Sequence, residues 1–234
     1  MKTYVIHVSD AYARKAHIQN ELDGKDLDIT YITKGDKKDL TAEVLDEYFS
    51  EEMAAIKAST SCAYKHILAY QTIVAEKDHL VLILEDDIKF YKHFSILQKI
   101  VTELEIRKIE NFMLSLEDSN LRYIPKSERE IGTLIYPKKT GRMAGAYLID
   151  KKGAKSILQH IKKEKINIPI DWYHNLCVKN YAIKMYWSHP AIAFQSSLDG
   201  SMKSLIVNKN KYGIFAPVLF KIKKLYKHFL YQLR

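Results

Sequence analysis

The sequence predicts an α/β protein: a sheet with helices packed on it and ligands gathered at the carboxyl ends of its strands. Three observations carry that reading. Short β-branched or apolar runs alternate with longer segments of helical pattern from Thr3 to Trp187. The run His79–Leu84 (HLVLIL) is continuously apolar, as suits a strand covered on both faces. Between Ser59 and Ala75, the residues Ala63, Ile67, Tyr70 and Val74 recur on one face of a helix.

Taken in order, Thr3–Val8 (TYVIHV) is a first strand that runs into the cap-like pair Ser9-Asp10. Ala11–Leu22 follows as a helix with Ala13, Ala16 and Ile18 available for burial. Leu27–Ile32 is a second short strand, and Thr41 caps a helix that reaches Tyr48. Beyond the strand at His79–Leu84, Phe94–Ile109 is helical and Asn111–Leu116 (NFMLSL) is extended. Tyr123–Thr140 carries Pro125, Gly132 and Pro137 among charges, which predicts a flexible excursion with a hairpin. Ala144–Ile149 resumes a strand, Lys152–Ile161 a helix, and Pro169-Ile170-Asp171 opens a further helix bearing Trp172 and Tyr173. Ile183–Trp187 is a late strand that ends at His189-Pro190.

The chain has 234 residues, enough for one domain with one sizeable core. Its net charge is +9, yet Lys203 to Arg234 hold eight basic residues and no acidic one, leaving +1 for residues 1–202. A nearly neutral domain at 1–202 and a basic tail at 203–234 are therefore expected, and a nucleic-acid-binding core is not. Within the tail, Val218, Ile222, Leu225, Phe229 and Leu233 fall at helical spacings with lysines mostly elsewhere. Such a basic amphipathic helix suits an anionic membrane surface. No stretch of about eighteen apolar residues reads as a membrane span. MKTYVIHVSD puts a strand where a signal peptide needs a longer apolar run. Cys62 and Cys177 show no metal-binding spacing and read as free thiols of a reducing, cytoplasmic compartment.

Glu85-Asp86-Asp87 follows the apolar strand directly. Three adjacent carboxylates repel one another unless a cation or donors offset the charge, and hard oxygen ligands suit Mg²⁺ or Mn²⁺. If the strand continues through the triplet, Glu85 and Asp87 face one ligand and Asp86 points away.

These residues belong to a wider pattern. YVIHVSDAYARK at the start, CAYKHILAYQTIV from Cys62, LVLILEDDIKF from Leu80, GAYLIDKKGAKSIL from Gly145, PIDWY from Pro169 and HPAIAFQSS from His189 resemble, in family order, the blocks of glycosyltransferase family 25, bacterial enzymes that build the saccharide part of lipooligosaccharide. Two departures stand out: Lys65 precedes His66 where the family favours a small residue, and the opening block offers Arg14 and Lys15 where the family has two or more Arg.

The resemblance implies a GT-A type, Rossmann-like mixed sheet flanked by helices. It also implies a UDP-sugar donor, inversion at the anomeric carbon and transfer of a hexose, galactose before glucose, to a lipid-anchored saccharide at the inner face of the bacterial inner membrane. It makes the acidic triplet a DxD-like metal site for Mn²⁺ or Mg²⁺, with Asp87 as the direct ligand, Glu85 as the second ligand or a ribose contact, and Asp86 as a supporting residue on the donor side. Asp171 is then the expected general base, with Trp172 and Tyr173 stacking on the acceptor sugar. His189 is the candidate third metal ligand. Ser9, Arg14, Gln195 and Ser197 are expected around the uracil and phosphates, and Gly145 is expected to permit close approach to the donor sugar or to a neighbouring strand. Cys62 and His66, at i and i+4, lack the third member of a nucleophilic triad, so His66 is read as a wall or core-polar residue. Two other functions compete. A metal-dependent nucleotidyltransferase would need a glycine-rich phosphate loop or a second carboxylate cluster, and neither is apparent. A non-enzymatic basic module binding membrane or nucleic acid would leave Asp87 without a role.

Overall fold

A computed structural model describes residues 1–206 and 216–234. The chain runs β1 (Lys2–Ile6), α1 (Tyr12–Leu22), β2 (Asp28–Ile32), α2 (Ala42–Tyr48), α3 (Ala58–Ala75), β3 (Leu80–Glu85), β4 (Ile88–Phe90), α4 (Leu97–Ile106), β5 (Phe112–Ser115), β6 (Ile135–Lys138), β7 (Ala146–Asp150), α5 (Lys151–Lys163), α6 (Ile170–Lys179), β8 (Lys184–Ser188), β9 (Ala193–Gln195), α7 (Ser196–Asp199) and α8 (Ala216–Leu233). Seven strands form one sheet in the order β2-β1-β3-β7-β5-β8-β6, and β4 pairs with β9 in a small second sheet. In the large sheet β2, β1, β3, β5 and β8 point one way, and β7 and β6 run against them. This is the Rossmann-like mixed sheet flanked by helices that the resemblance implies.

Strand alternation explains the continuous apolar run in β3. Val81 and Ile83 join a core beneath α3, α5 and α6, whereas Leu82 and Leu84 join a second core beneath α1 and α4. Both faces of β3 are therefore apolar. At about 25 cal/mol per Å² of apolar area, its four fully buried aliphatic side chains stabilise the sheet by several kcal/mol.

Two expectations are corrected, and two short strands are added. Ala13 and Ala16 are exposed, and α1 meets the core through Ile18 and Leu22 alone, with its main strand neighbour being β4 of the small sheet. Residues 123–140 contain no hairpin: their one strand, β6, pairs antiparallel with the distant β8 and closes the sheet. The strands β4 and β9, three residues each, are too short to show a periodicity in sequence.

The tail helix forms as expected. Its lysine-bearing side docks, with Lys224 Nζ over the rings of Tyr91 and Phe194 at 4.7 Å each and 3.6 Å from Asp118, and Tyr123 packing on His228 and Tyr231. Val218, Ile222, Leu225, Phe229 and Leu233 are all more than half exposed. The tail lysines Lys209 and Lys211 lie outside the described residues.

Candidate functional site

The parallel strands β2, β1 and β3 all present their carboxyl ends at one edge of the sheet, which delivers Asp36, His7 and the Glu85–Asp87 triplet to the same place. There they line a cavity of about 710 Å³, closed by the first turns of α3 and α6 and by the segment after β9. That volume lies within the roughly 300–1,000 Å³ of small-molecule sites.

The three acidic residues have different surroundings. The strand ends at Glu85 and the chain turns at 86–87, so alternation stops there and Asp86 does not point away, as extended backbone would require. Asp86 accepts Nδ1 of His7 at 2.8 Å and Nη1 of Arg14 at 2.6 Å. Burial raises its carboxyl, but His7 and Arg14 outweigh burial and hold it below the ordinary range. Glu85 accepts Nε2 of Gln195 at 2.7 Å and stands 3.5 Å from Nε2 of His66. Asp87 is buried, and its nearest cation is Nη2 of Arg14 at 3.4 Å from Oδ2. Among the described residues no hydrogen bond of good geometry reaches its Oδ1. Burial and Glu85 push its pKa up to about 6, with Arg14 and the Ser197 hydroxyl pulling the other way. A buried carboxylate oxygen without a donor is costly, and a cation is the natural remedy.

Arg14 is clamped: burial works against its charge, Asp87 and Asp86 restore it, and Nη2 also donates to the Lys203 carbonyl at 3.0 Å. Ser9 and Ser197 line the cavity, and Ser9 Oγ donates to the Thr33 carbonyl at 3.3 Å. Asp171 lines it too, in the first turn of α6, where Pro169 ends the preceding loop. Its carboxyl is raised by burial and by Glu85, with backbone donors at Trp172 and Asp171 opposing.

Other expected residues stand elsewhere. His189 is not in the cavity wall. It sits against Tyr136, and burial together with Arg129, Arg142 and His228 lowers its pKa to about 4, a cationic setting that repels a metal ion. Tyr173 is fully buried, with its hydroxyl on His160 at 2.8 Å and the Glu164 carbonyl at 2.6 Å, so it is core and cannot stack on an acceptor. Its position on the inward face of α6 dictates this. Trp172 is 65% exposed on the other side of that helix. Gly145 backs onto Gln195: a Cβ there would stand 2.7 Å from the Gln195 side chain, so the close approach is to protein.

Four contributors escaped the sequence reading. His7 orients Asp86. Lys65, the departure noted above, is buried with Nζ 2.8 Å from Asp36 and 2.7 Å from the Thr33 carbonyl, fixing the β2 end of the wall. Glu117 and Ser119 form a second carboxylate station after all. Glu117 accepts the backbone N–H of Gly145 at 2.6 Å and of Ala146 at 3.1 Å, together with the Ser119 hydroxyl, while Ser119 receives the N–H of Gln195 at 2.9 Å. The signal was legible: an apolar strand followed by Glu-Asp occurs at 116–118 as it does at 84–86.

Comparisons with known proteins bear on this geometry. A family model described as glycosyltransferase family 25 (LPS biosynthesis protein) matches residues 1–174. A curated relative from Aedes aegypti, "Glycosyltransferase 25 family member", is 24% identical over 205 residues, covering 80% of this chain and 32% of its own length. The chain thus spans about a third of that relative. Among solved structures, a UDP-glucose pyrophosphorylase complexed with UDP-glucose aligns at TM-score 0.41 and 9% identity, covering 80% of this chain and 89% of its own. A putative glucose-1-phosphate thymidylyltransferase from Bacillus anthracis, in complex with a sucrose, aligns at 0.39 and 12%, covering 82% and 70%. Likenesses this weak carry no argument about chemistry.

Proposed function

The chain belongs to glycosyltransferase family 25, and on that footing we propose that it is an inverting, metal-dependent enzyme that moves a hexose from a UDP-sugar, galactose before glucose, to a lipooligosaccharide acceptor. The observation that carries the reading is Asp87 Oδ1, a buried carboxylate oxygen that receives no hydrogen bond of good geometry among the described residues, on the wall of a cavity of small-molecule size. Asp87 and Glu85 would hold Mn²⁺ or Mg²⁺. Such ions take one or two carboxylates and complete their shells with water and phosphate, so no ligand from His189 is needed. The bound ion supplies charge that stabilises the departing diphosphate. Arg14, held by Asp86 and Asp87, adds a fixed positive charge on the same side. Asp171, its carboxyl raised by burial and by Glu85, takes the proton of the acceptor hydroxyl as that oxygen attacks the anomeric carbon.

The test is turnover of UDP-galactose, UDP-glucose and UDP-GlcNAc with and without Mn²⁺. The reading predicts Mn²⁺-dependent release of UDP, fastest from UDP-galactose. No turnover of any donor, together with no Mn²⁺-dependent UDP binding, overturns it.

A separate observation supports a site of action at the cytoplasmic face of a membrane. The docked helix α8 turns its apolar stripe outward, and Lys221 and Lys223 stand exposed along it. Among the described residues no helix is long and apolar enough to cross a membrane. An amphipathic face flanked by lysines suits the surface of an anionic bilayer, where lipid-anchored acceptors reside. Deleting Ala216–Leu233 is expected to abolish sedimentation with phosphatidylglycerol-containing vesicles, and unchanged sedimentation refutes this part.

A further inference from the structure

We infer that Cys62, His66 and Glu85 form a binding site for a thiophilic metal ion, with Zn²⁺ the natural occupant, distinct in chemistry from the hard-cation station at Asp87. The ligand atoms of the three residues lie within 4.8 Å of one another. Cys62 Sγ is 3.7 Å and His66 Nε2 is 3.5 Å from the same Glu85 oxygen. Ligand atoms placed tetrahedrally about Zn²⁺, at bonds of about 2.0–2.3 Å, stand roughly 3.3–3.8 Å apart. Two of the three edges are therefore already set.

The helix supplies the rest. Cys62 and His66 sit one turn apart on α3, facing the end of β3. His66 is fully buried, and its Nε2 has no hydrogen-bond partner among the described residues although it points at a carboxylate. Its other nitrogen is held: Nδ1 meets the Tyr147 hydroxyl at 2.7 Å, Tyr147 meets Tyr70 at 2.6 Å, and Tyr70 meets His174 Nε2 at 2.7 Å. If each hydroxyl donates toward His174, then His66 Nδ1 carries the proton and Nε2 presents a lone pair to Glu85. Two acceptors then face each other, and a cation between them resolves the conflict. This is the outer-shell arrangement that orients metal-bound histidines. Cys62 and Glu85 also line the cavity, which leaves the fourth position open to solvent.

Thiolate and imidazole together select Zn²⁺ or Co²⁺ over Mn²⁺ and Mg²⁺. Cys62 coordinates as thiolate, its proton leaving to solvent. Because Glu85 is shared, occupancy takes up a carboxylate oxygen facing the donor site while Gln195 keeps the other, and Zn²⁺ becomes an inhibitor of donor turnover; only this consequence rests on the glycosyltransfer reading.

Titration of the full chain with Co²⁺ tests the site without reference to activity. One equivalent is expected to give tetrahedral d–d bands and a thiolate-to-cobalt charge-transfer band. Zn²⁺ should abolish both at one equivalent, whereas one equivalent of Mn²⁺, which competes only for Glu85, should leave them in place. Cys62→Ser should lose the charge-transfer band, Cys177→Ser should keep it, and His66→Gln should weaken binding at least tenfold, with circular dichroism confirming that each variant folds. No charge-transfer band in the natural chain, or one that survives in Cys62→Ser, overturns the proposal. Mn²⁺-dependent turnover without that band sinks this inference alone; the band without turnover sinks only the glycosyltransfer reading.

Discussion

The ends of β3 and β5 carry the same step, an apolar strand running into Glu-Asp, yet the fold treats them in opposite ways. Glu117, after β5, is fully buried and surrounded by donors: two backbone N–H groups and the Ser119 hydroxyl. Asp87, after β3, is as deeply enclosed and has an oxygen with no donor of good geometry. Burial raises both, Glu117 to about 8 and Asp87 to about 6. The difference teaches that burial and a raised pKa do not identify a ligand site; what separates a structural carboxylate from a receptive one is whether the chain itself supplies the partners.

The largest expected effect follows at Asp87. Replacement by Asn should reduce kcat/KM for the donor by about 10³-fold or more, since several kcal/mol of charge stabilisation disappear with the ion. Thermal stability of the metal-free protein should not fall, because burial and Glu85 disfavour the Asp87 charge more than Arg14 and Ser197 favour it. Wild-type activity in Asp87→Asn would erase the contrast with Glu117.

Asp171 tests whether the second raised carboxylate on the cavity of Asp87 acts in chemistry or in metal binding. Asp171→Asn should lose about 10²–10⁴-fold in kcat as a missing base, with Mn²⁺-dependent UDP binding retained. Loss of that binding instead would move Asp171 into the ion's shell.

At Glu117 the effect should appear in stability. Glu117→Ala leaves the N–H groups of Gly145 and Ala146 without partners and should cost about 2–6 kcal/mol in chemical denaturation, at about 1–3 kcal/mol per orphaned group. Glu117→Gln keeps the acceptor and should be nearly neutral at pH 6. The pH dependence separates the two stations. Both folded-state pKa values lie above the ordinary ones, so each group's protonation favours the fold and that stability is lost as pH rises. The loss spans pH 3.8 to about 6 for Asp87 and pH 4.5 to about 8 for Glu117. Mn²⁺ should restore the Asp87 portion at pH 7 and leave the Glu117 portion unchanged; restoration of the whole loss would mean that the ion reaches both.

Much of this was legible in the chain. HLVLIL specified a strand between two apolar layers, and Glu85-Asp86-Asp87 at its end specified where charge gathers. The helix register from Ser59 to Ala75 was read correctly because a long amphipathic period survives tertiary packing. What was not legible depended on long-range pairing. β6 joins β8 across about fifty residues, and nothing local in 123–140 announces it. Tyr173 and Trp172 look equivalent in sequence, but only the rotation of α6 sends one into the core and the other to solvent. His7 stands at the end of a strand-like run with nothing local to give it a role; its partner, Asp86, is 79 positions away. Lys65 stood out as a departure in a pattern, but its partner on the loop after β2 was invisible before folding.

The smallest effect falls where the two stations touch. Gly145 donates its N–H to Glu117, and the space its missing Cβ leaves is occupied by Gln195, which in turn holds Glu85. A methyl group at 145 would meet Cγ and Cδ of Gln195 at 2.7 Å, too close to be absorbed without displacement. Gly145→Ala should therefore push Gln195 off Glu85, costing about 1–3 kcal/mol of stability as overpacking. A fall of about tenfold in kcat/KM is the matching kinetic expectation, one lost hydrogen bond to a charged group being worth about 1.5 kcal/mol. The double variant Gly145→Ala/Gln195→Ala isolates the clash. Removing the Gln195 side chain should recover most of the stability lost in Gly145→Ala, and none of the activity, because Glu85 then has no amide to orient it. If stability stays low in the double variant, the methyl group strains the Glu117 station instead, and the two regions are coupled through the backbone at 145 rather than through Gln195.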